Sequence, residues 1–151
     1  MRRAVFVTAA LVLLGTGRPA VPVLAADSPW QGQTVLVTGA NRGLGLELAR
    51  QLRAAGAEVV GTARRPERAD ELRNLGVRVE QLDVTDPASV AGLAARLDDL
   101  ALDALLNNAG IFPERGGFAD ADPAEVLRVY DVNAVGPLRV TQAQLPLRRR
   151  G

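Results

Sequence analysis

The chain has 151 residues and a formal net charge of +1, so it has room for one domain and no charge excess that would favour a nucleic-acid partner. Hydrophobic residues make up 48% of it, which is enough to bury a core. Histidine and cysteine are absent and every basic residue is arginine, so disulfides, thiolate nucleophiles and imidazole bases are excluded and no metal site is expected.

Residues 1–25 have the pattern of a secretory signal peptide. Arg2 and Arg3 precede an uncharged apolar run (4–14), and residues 23–25 have the small-residue spacing of a signal-peptidase site. The run is too short to span a bilayer comfortably, so no stable membrane span is expected. The paired arginines also permit twin-arginine export. The alternative is a buried first strand. We therefore expect an exported, periplasmic protein, and a cytoplasmic one if the signal is not used.

Residues 26–32 are predicted to be a linker, and residues 33–151 a single domain. Runs of aliphatic and β-branched residues predict strands at 34–38, 59–62, 77–82 and 102–106. Apolar spacing and capping signals predict helices at 44–56, at 66–75, from Asp86 and from Asp122. This alternation predicts an α/β fold, a Rossmann-type doubly wound parallel sheet with helices on both faces. Because such sheets normally have six or more strands, we expect this one to be truncated after about four.

The segment between the first strand and the first helix, residues 38–45, has the sequence Thr-Gly-Ala-Asn-Arg-Gly-Leu-Gly. A pyrophosphate needs backbone N–H groups at close range, and glycine lets the chain approach without a Cβ in the way. Gly39 suits the tight turn, Gly43 the close approach and Gly45 the contact between helix and strand, while the helix dipole adds to anion binding. With a strand before it and a helix after it, this loop predicts a dinucleotide site. The alternative is an ordinary glycine turn. The helix itself repeats Leu44, Leu48 and Leu52 at helical spacing.

Four ordered motifs resemble the short-chain dehydrogenase/reductase family. They are Thr-Gly-x-x-x-Gly-x-Gly at 38–45, Asp83-Val84, Asn107-Asn108-Ala109-Gly110, and Asp131-Val132-Asn133 with Gly136-Pro137. The resemblance covers about residues 33–147. It implies an oxidoreductase that transfers a hydride between NAD(P) and a small carbonyl or alcohol substrate. The cofactor-binding residues that it implies are Gly39, Asn41, Arg42, Gly43, Leu44, Gly45, Arg64, Asp83, Val84, Asn108, Ala109 and Gly110.

The end of the second strand indicates NADP in preference to NAD. An NAD site usually has a carboxylate there to hold the ribose 2′-hydroxyl, but this chain has Ala63-Arg64-Arg65. A guanidinium can bind a 2′-phosphate through two parallel hydrogen bonds. Arg42 resembles the family's second 2′-phosphate contact. The alternative is chance placement, because arginine is the chain's only cation, and NAD therefore stays open.

Asn133 is the one candidate for the catalytic machinery. Its spacing from Val126 and Tyr130 places it on the apolar face of its helix, where a buried amide needs hydrogen-bond partners. The resemblance implies that the matching asparagine holds a water molecule in a proton relay. The alternative is a structural tie from the helix to a neighbouring backbone, and both roles can coexist. Tyr130 is expected in the core.

The residues that would complete the family's reaction are not found in this sequence. The family uses a tyrosine as general acid/base, a lysine four residues later and a serine that orients the carbonyl. The only tyrosine is Tyr130, the residue four later is Ala134, there is no lysine, and the serines are Ser28 and Ser89. We therefore expect this chain alone to be inactive. The alternatives are a non-catalytic dinucleotide-binding module, an inactive gene fragment, or a nucleotide-sugar or other extended-type enzyme. The resemblance also allows a homo-oligomer in a full-length form.

Overall fold

The computed structural model describes residues 28–113 and 121–148. The predicted signal peptide, residues 1–25, lies outside these ranges, and so do residues 114–120. The export signal therefore stays a prediction. No helix within the described ranges is long and apolar enough to cross a bilayer.

The predicted linker, residues 26–32, is described from Ser28 onward, and there it packs against the domain. The Trp30 side chain contacts the hydrophobic core. The N–H of Gly32 donates to the carbonyl of Gly56 (2.9 Å). These contacts make the last residues of the linker part of the folded unit.

One sheet of four parallel strands forms the centre of the domain. The strands are β1 (Thr34–Val37), β2 (Glu58–Ala63), β3 (Arg78–Gln81) and β4 (Ala104–Leu106). Their order is β3-β2-β1-β4, and Val35 of β1 pairs with Val59 of β2 and with Ala104 of β4. The strand order reverses between β1 and β4, so their carboxyl ends form the crevice in which folds of this kind bind ligands.

The helices follow the strands in alternation. They are α1 (Gly43–Ala54), a 3₁₀ turn (Pro66–Arg68), α2 (Asp70–Asn74), α3 (Pro87–Arg96), α4 (Pro123–Tyr130), a π-helical turn (Asp131–Val135) and α5 (Gly136–Arg148). The prediction of one continuous helix over 66–75 is wrong. Ala69 leaves helical geometry (φ −108°, ψ 46°) and is itself buried at 1% exposure, which separates the 3₁₀ turn from α2.

The two faces of the sheet support two hydrophobic clusters. Successive side chains of a strand point to opposite faces, so Val35 and Val37 of β1 pack against α1 and α2, whereas Leu36 packs against α3 and Val140 of α5. Helices therefore cover both faces of a parallel sheet. The predicted α/β, doubly wound, Rossmann-type fold is confirmed, with four strands in the described part of the chain.

Helix α1 buries a different stripe from the predicted one. Leu46, Ala49 and Leu52 are buried, at the i, i+3 and i+6 spacing of a helix face against a sheet, whereas Leu44 is 51% exposed. Leu44 lies in the first turn, where the helix borders an open cleft and not the sheet. Leu44, which the family resemblance implies as a cofactor-binding residue, therefore lies at the cleft and not in the core.

Candidate functional site

An open cleft of about 650 Å³ lies at the carboxyl ends of the strands. The glycine loop, the start of α1, the ends of β2 and β3, the segment after β4, and α4 with the π-helical turn all contribute to its lining. The structure brings every predicted site residue into this one cleft: Gly39, Asn41, Arg42, Gly43, Leu44, Gly45, Arg64, Asp83, Val84, Asn108, Ala109, Gly110 and Asn133.

Helix α1 begins at the cleft without a cap. Arg42 occupies the N-cap position in an extended conformation (φ −162°, ψ 168°), its side chain forms no capping hydrogen bond, and the first turn contains no acidic residue. The first N–H groups of a helix have no partner inside the helix and carry the positive end of its dipole. Here they belong to residues 43–45, which line the cleft. This arrangement suits a bound anion.

Two glycines are required where β1, α1 and the segment after β4 meet. Gly39 has a φ of +64°, and a Cβ there would lie 2.8 Å from the Cα of Ala109. A Cβ at Gly45 would collide with the carbonyl oxygen of Gly39 and with the side-chain amide of Asn108. Any side chain at either position would therefore push these chain segments apart and change the shape of the loop.

Hydrogen bonds fix the glycine loop from two sides. The buried hydroxyl of Thr38 accepts the N–H groups of Asn108 (2.9 Å) and Ala109 (3.0 Å). The Asn108 amide donates in return to the carbonyls of Thr38 (2.9 Å) and Gly39 (3.1 Å). On the other side, the buried hydroxyl of Thr62 in β2 accepts the N–H of Gly39 (3.3 Å). The loop is held in shape by the protein alone, and the Asn108 amide nitrogen is committed to that task.

Two arginines leave positive charge in the cleft. Arg42 and Arg64 both line it, and neither forms an ion pair with a described residue. Arg128 of α4 lines the cleft too, but it pairs with Glu125 (3.5 Å). Among the described residues, the arginines of the cleft that have no ion-pair partner therefore lie at the glycine loop and at the end of β2.

The turn after β3 offers the cleft one acceptor and one donor. Oδ1 of Asp83 accepts the N–H (2.9 Å) and the hydroxyl (2.7 Å) of Thr85, and the N–H of Asp83 donates to Ser89 Oγ (2.9 Å). Arg139 of α5 donates to the Val84 carbonyl (3.4 Å). Among the described residues, Oδ2 of Asp83 and the N–H of Val84 have no partner. A carboxylate oxygen and a backbone N–H on consecutive residues are thus left for a ligand.

The Asp83 carboxyl stays ionised in this turn. Burial raises its pKa, but the two hydrogen bonds from Thr85 and the positive charge of nearby Arg64 lower it by more, so the pKa lies below its usual value. The cleft therefore presents a charged acceptor at neutral pH.

Asn133 is exposed, so the prediction of a buried amide on an apolar face is wrong. It lies in the π-helical turn, whose wider winding rotates the following residues relative to the face that α4 sets. The N–H of Ile111 donates to its Oδ1 (2.9 Å), and its Nδ2 donates to the Ile111 carbonyl (2.8 Å). These two bonds form the structural tie that was the alternative interpretation, and they hold the segment after β4 at the cleft.

The apolar residues of α4 are not covered by the described part of the chain. Val126 is 52% exposed and Tyr130 is 62% exposed, and the helix buries none of its residues. The prediction of Tyr130 as a core residue is therefore wrong. Apolar spacing identifies a face of a helix, but it does not show which element lies against that face.

Several polar residues that shape the cleft were not predicted from the sequence. Thr62 holds the glycine loop, while Thr85 and Ser89 hold Asp83. The Asp-x-Thr spacing of Asp83 and Thr85 is a local signal for a side chain that bonds the backbone two residues on. Thr62 and Ser89 have no such signal, because their partners are reached only through the folded sheet.

A family model for short chain dehydrogenases matches residues 33–151. The chain belongs to the short-chain dehydrogenase family. The family comprises oxidoreductases that use NAD(P) with small-molecule substrates. The short chain dehydrogenase tazN of Aspergillus terreus is 39% identical over 127 residues, which cover 78% of this chain and 28% of that protein.

Solved short-chain dehydrogenases share the fold. The Pseudomonas aeruginosa RhlG/NADP active-site complex has a TM-score of 0.74 and 31% identity, covering 80% of this chain and 49% of that one. The 3-ketoacyl-(acyl-carrier-protein) reductase of Brucella melitensis, complexed with NADH, has a TM-score of 0.70 and 30% identity, covering 78% and 50%. This chain spans 28% to 50% of the length of the curated relatives that it matches.

Proposed function

We propose that this short-chain dehydrogenase chain binds NADP(H) in the cleft, as the cofactor-binding part of an oxidoreductase that moves a hydride between NADP(H) and a small carbonyl or alcohol. The observation that carries the proposal is the uncapped N-terminus of α1, which lies beside two arginines without ion-pair partners in the described chain, Arg42 and Arg64. A neutral ligand would leave the helix N–H groups without an anionic acceptor and both guanidinium groups without an ion-pair partner.

The phosphates of the cofactor fit the positive end of the cleft. The N–H groups of residues 43–45 would bind the pyrophosphate, which the bare backbone at Gly39 and Gly43 allows to come close. Arg64 and Arg42 would bind the 2′-phosphate. NAD has no phosphate at that position, so it would leave both charges unsatisfied, and this difference favours NADP.

The adenine fits the turn after β3. Its exocyclic amine is a donor and its ring N1 is an acceptor, and the free groups of the turn are the complementary pair, Oδ2 of Asp83 and the N–H of Val84. Asp83 remains ionised, so its bond to the amine would be charge-assisted.

A bound nicotinamide cofactor would supply the hydride chemistry, and Asn133 is the proposed contribution of this chain to proton transfer. Its side chain is committed to Ile111, so the relay water that the family resemblance implies would be held by its backbone carbonyl. The α-helical donor to that carbonyl would be Pro137, which has no N–H, while the donor in a π-helical turn would be residue 138. A carbonyl oxygen has two lone pairs, so it can accept from the water as well.

We further propose that these 151 residues bind the cofactor without turnover. General acid catalysis on a carbonyl needs a positioned proton donor. The sequence has no lysine, and its single tyrosine, Tyr130, lies exposed on α4 outside the cleft lining. The same observation favours the second candidate function, a dinucleotide-binding module that does no chemistry. The proton donor of the oxidoreductase would have to lie outside these residues.

Calorimetric titration of the chain with NADP⁺ and with NAD⁺ tests the proposal. We expect NADP⁺ to bind about tenfold or more tightly than NAD⁺, because a charge-assisted phosphate contact is worth at least that factor. In an NADPH-oxidation assay with a panel of ketones, we expect no turnover above background. Equal affinities would overturn the NADP preference, and absence of binding would overturn the proposal. Turnover would require a further proton donor among the 151 residues.

A further inference from the structure

The turn after β3 contains a residue whose hydroxyl serves its neighbour. We propose that Thr85 is a positioning residue, which orients the Asp83 carboxylate so that its free oxygen recognises the exocyclic amine of adenine. This inference rests on the proposed function and deepens it, because it assigns base specificity in the cofactor site to a residue that acts through the Asp83 carboxylate.

The two carboxylate oxygens of Asp83 have different roles. Both hydrogen bonds from Thr85, from its N–H at 2.9 Å and its hydroxyl at 2.7 Å, end on Oδ1 of Asp83. A carboxylate held by one bond can still turn about its Cβ–Cγ axis, whereas two donors from different directions fix its plane. Oδ2 is then held in one direction, and Asp83 lines the cleft.

The backbone of Asp83 is fixed independently of Thr85. The Asp83 N–H donates to Ser89 Oγ (2.9 Å), and the Ser89 hydroxyl donates to Oε1 of Gln81 (3.1 Å). The Asp83 carbonyl accepts the N–H of Asp86 (3.2 Å). Removal of the Thr85 hydroxyl therefore leaves the course of the chain in place and frees the carboxylate alone. A structural role and a positioning role consequently predict different results.

The chemistry of the base provides the discriminating measurement. Adenine carries an amine and an unprotonated N1 where hypoxanthine carries a carbonyl oxygen and an N1–H, and the two bases are alike in size. A carboxylate oxygen accepts a hydrogen bond from the amine but repels the carbonyl oxygen. A rigidly held Oδ2 therefore separates NADP⁺ from its hypoxanthine analogue, whereas a freely turning carboxylate separates them less well.

The experiment is a calorimetric titration of the chain with NADP⁺ and with nicotinamide hypoxanthine dinucleotide phosphate. Thr85→Val removes the hydroxyl while keeping the β-branched shape and the backbone N–H. We expect it to weaken NADP⁺ about three- to tenfold, the range of one lost hydrogen bond, and to leave the analogue within about twofold. Thr85→Ser retains the hydroxyl and is expected to restore the NADP⁺ affinity to within about twofold.

The remaining outcomes contradict the inference in distinguishable ways. Equal weakening of both dinucleotides by Thr85→Val would show a structural role only. Equal binding of both by the unchanged chain would show that Asp83 does not recognise the amine, while the cofactor site itself would stand. Binding of neither would overturn the proposed function and this inference with it. Should Thr85→Val fail to fold, Asp83→Asn must reduce the preference for NADP⁺ over the analogue, because only the mismatch between the Val84 N–H and the hypoxanthine N1–H then remains, and an unchanged preference would overturn the assignment.

Discussion

Helices α1 and α3 begin at the same edge of the sheet and in opposite ways. At α3, Asp86 is the N-cap, its side chain accepts the N–H of Ala88 (2.9 Å), and Pro87 occupies the first turn. At α1, Arg42 occupies the cap position without a capping hydrogen bond, and no acidic residue follows in the first turn. At α3, Pro87 contributes no N–H and the chain itself bonds the N–H of Ala88, while the N–H groups at α1 are left for something else.

The difference separates a helix start that serves stability from one that serves binding. A side-chain cap is typically worth about 1 kcal/mol, which α3 gains and α1 forgoes. Helix α4 resembles α3, because Asp122 caps it through the N–H of Ala124 (2.9 Å). Of these three helices, only α1 begins on the glycine loop, and it is the one left uncapped. The uncapped start, together with close-packed glycines, is what makes this end of the sheet fit for an anion.

The largest expected effect comes from adding a side chain at Gly45, where the start of α1 packs closely against the glycine loop. In Gly45→Ala the added Cβ collides with the carbonyl of Gly39 and the amide of Asn108, neither of which can move without displacing the loop. We expect a loss of about 1–3 kcal/mol in the free energy of unfolding, as for overpacked sites. We also expect complete loss of dinucleotide binding. Urea denaturation and calorimetric titration measure the two effects.

Gly92→Ala in α3 is the matched control. Its Cβ would lie 3.2 Å from the flexible end of Arg96, and alanine is the better helix former by about 1 kcal/mol. We expect stability to rise or stay unchanged, and binding to be unaffected. If Gly45→Ala behaved like its control, the close approach at α1 would have no role in binding.

The second-largest effect is expected from reversing charge at the end of β2. Arg64→Asp should weaken NADP⁺ by about 2–4 kcal/mol, because a charge-assisted contact is lost and a repelling carboxylate is added. NAD⁺ lacks the phosphate and should change far less. The neighbouring Arg65 is exposed and lies outside the cleft lining, so Arg65→Asp is the control and should spare both cofactors. Equal losses for NADP⁺ and NAD⁺ in Arg64→Asp would contradict the 2′-phosphate assignment.

The α1 region could be predicted from the sequence because its signals are local. A β-branched run, a loop of three glycines and a helical repeat are adjacent in the chain, and the parallel strand order brings the ends of β1 to β4 together without further information. The cap at Asp86 is local as well, since its partner is two residues away. These features account for why every predicted site residue lines the cleft.

The burial of individual side chains could not be predicted in the same way, because it depends on tertiary packing that no local sequence pattern contains. The prediction that Asn133 lies on an apolar helix face assumed a regular α-helix, but the π-helical turn changes which residues share a face. Gln144 is fully buried, and neither of its amide atoms has a hydrogen-bond partner in the described part of the chain, although nothing in its sequence neighbours distinguishes it from an exposed glutamine. Leu44 and Tyr130 follow apolar spacing and are exposed, because burial requires a covering element as well as an apolar face.

A third prediction converts α1 into a helix like α3. Arg42 already has the extended backbone of an N-cap residue, so Arg42→Asp would place a carboxylate at the free N–H groups. We expect the chain without cofactor to gain about 0.5–1 kcal/mol in the free energy of unfolding. We expect NADP⁺ to bind about tenfold or more weakly, because the cap occupies the anion site and repels the phosphates. Arg42→Ala, which removes the charge without adding a cap, should weaken binding without the gain in stability. A stabilised variant with unchanged affinity would show that the α1 start does not hold the pyrophosphate.

The smallest effect is expected at the α3 start. Asp86→Ala removes the acceptor of the Ala88 N–H and should cost about 1 kcal/mol in the free energy of unfolding. Asp86 does not line the cleft, so the affinity for NADP⁺ should stay within about twofold, well below the factor that one lost hydrogen bond to a ligand can cause. Asp86→Asn keeps an N-cap acceptor while removing the charge, so it should recover most of the lost stability and identify the hydrogen bond, not the dipole, as the main contribution. A loss of NADP⁺ binding in Asp86→Ala that matched the loss in Arg42→Asp would mean that both helix starts serve the ligand, and the division of roles between α1 and α3 would then be wrong.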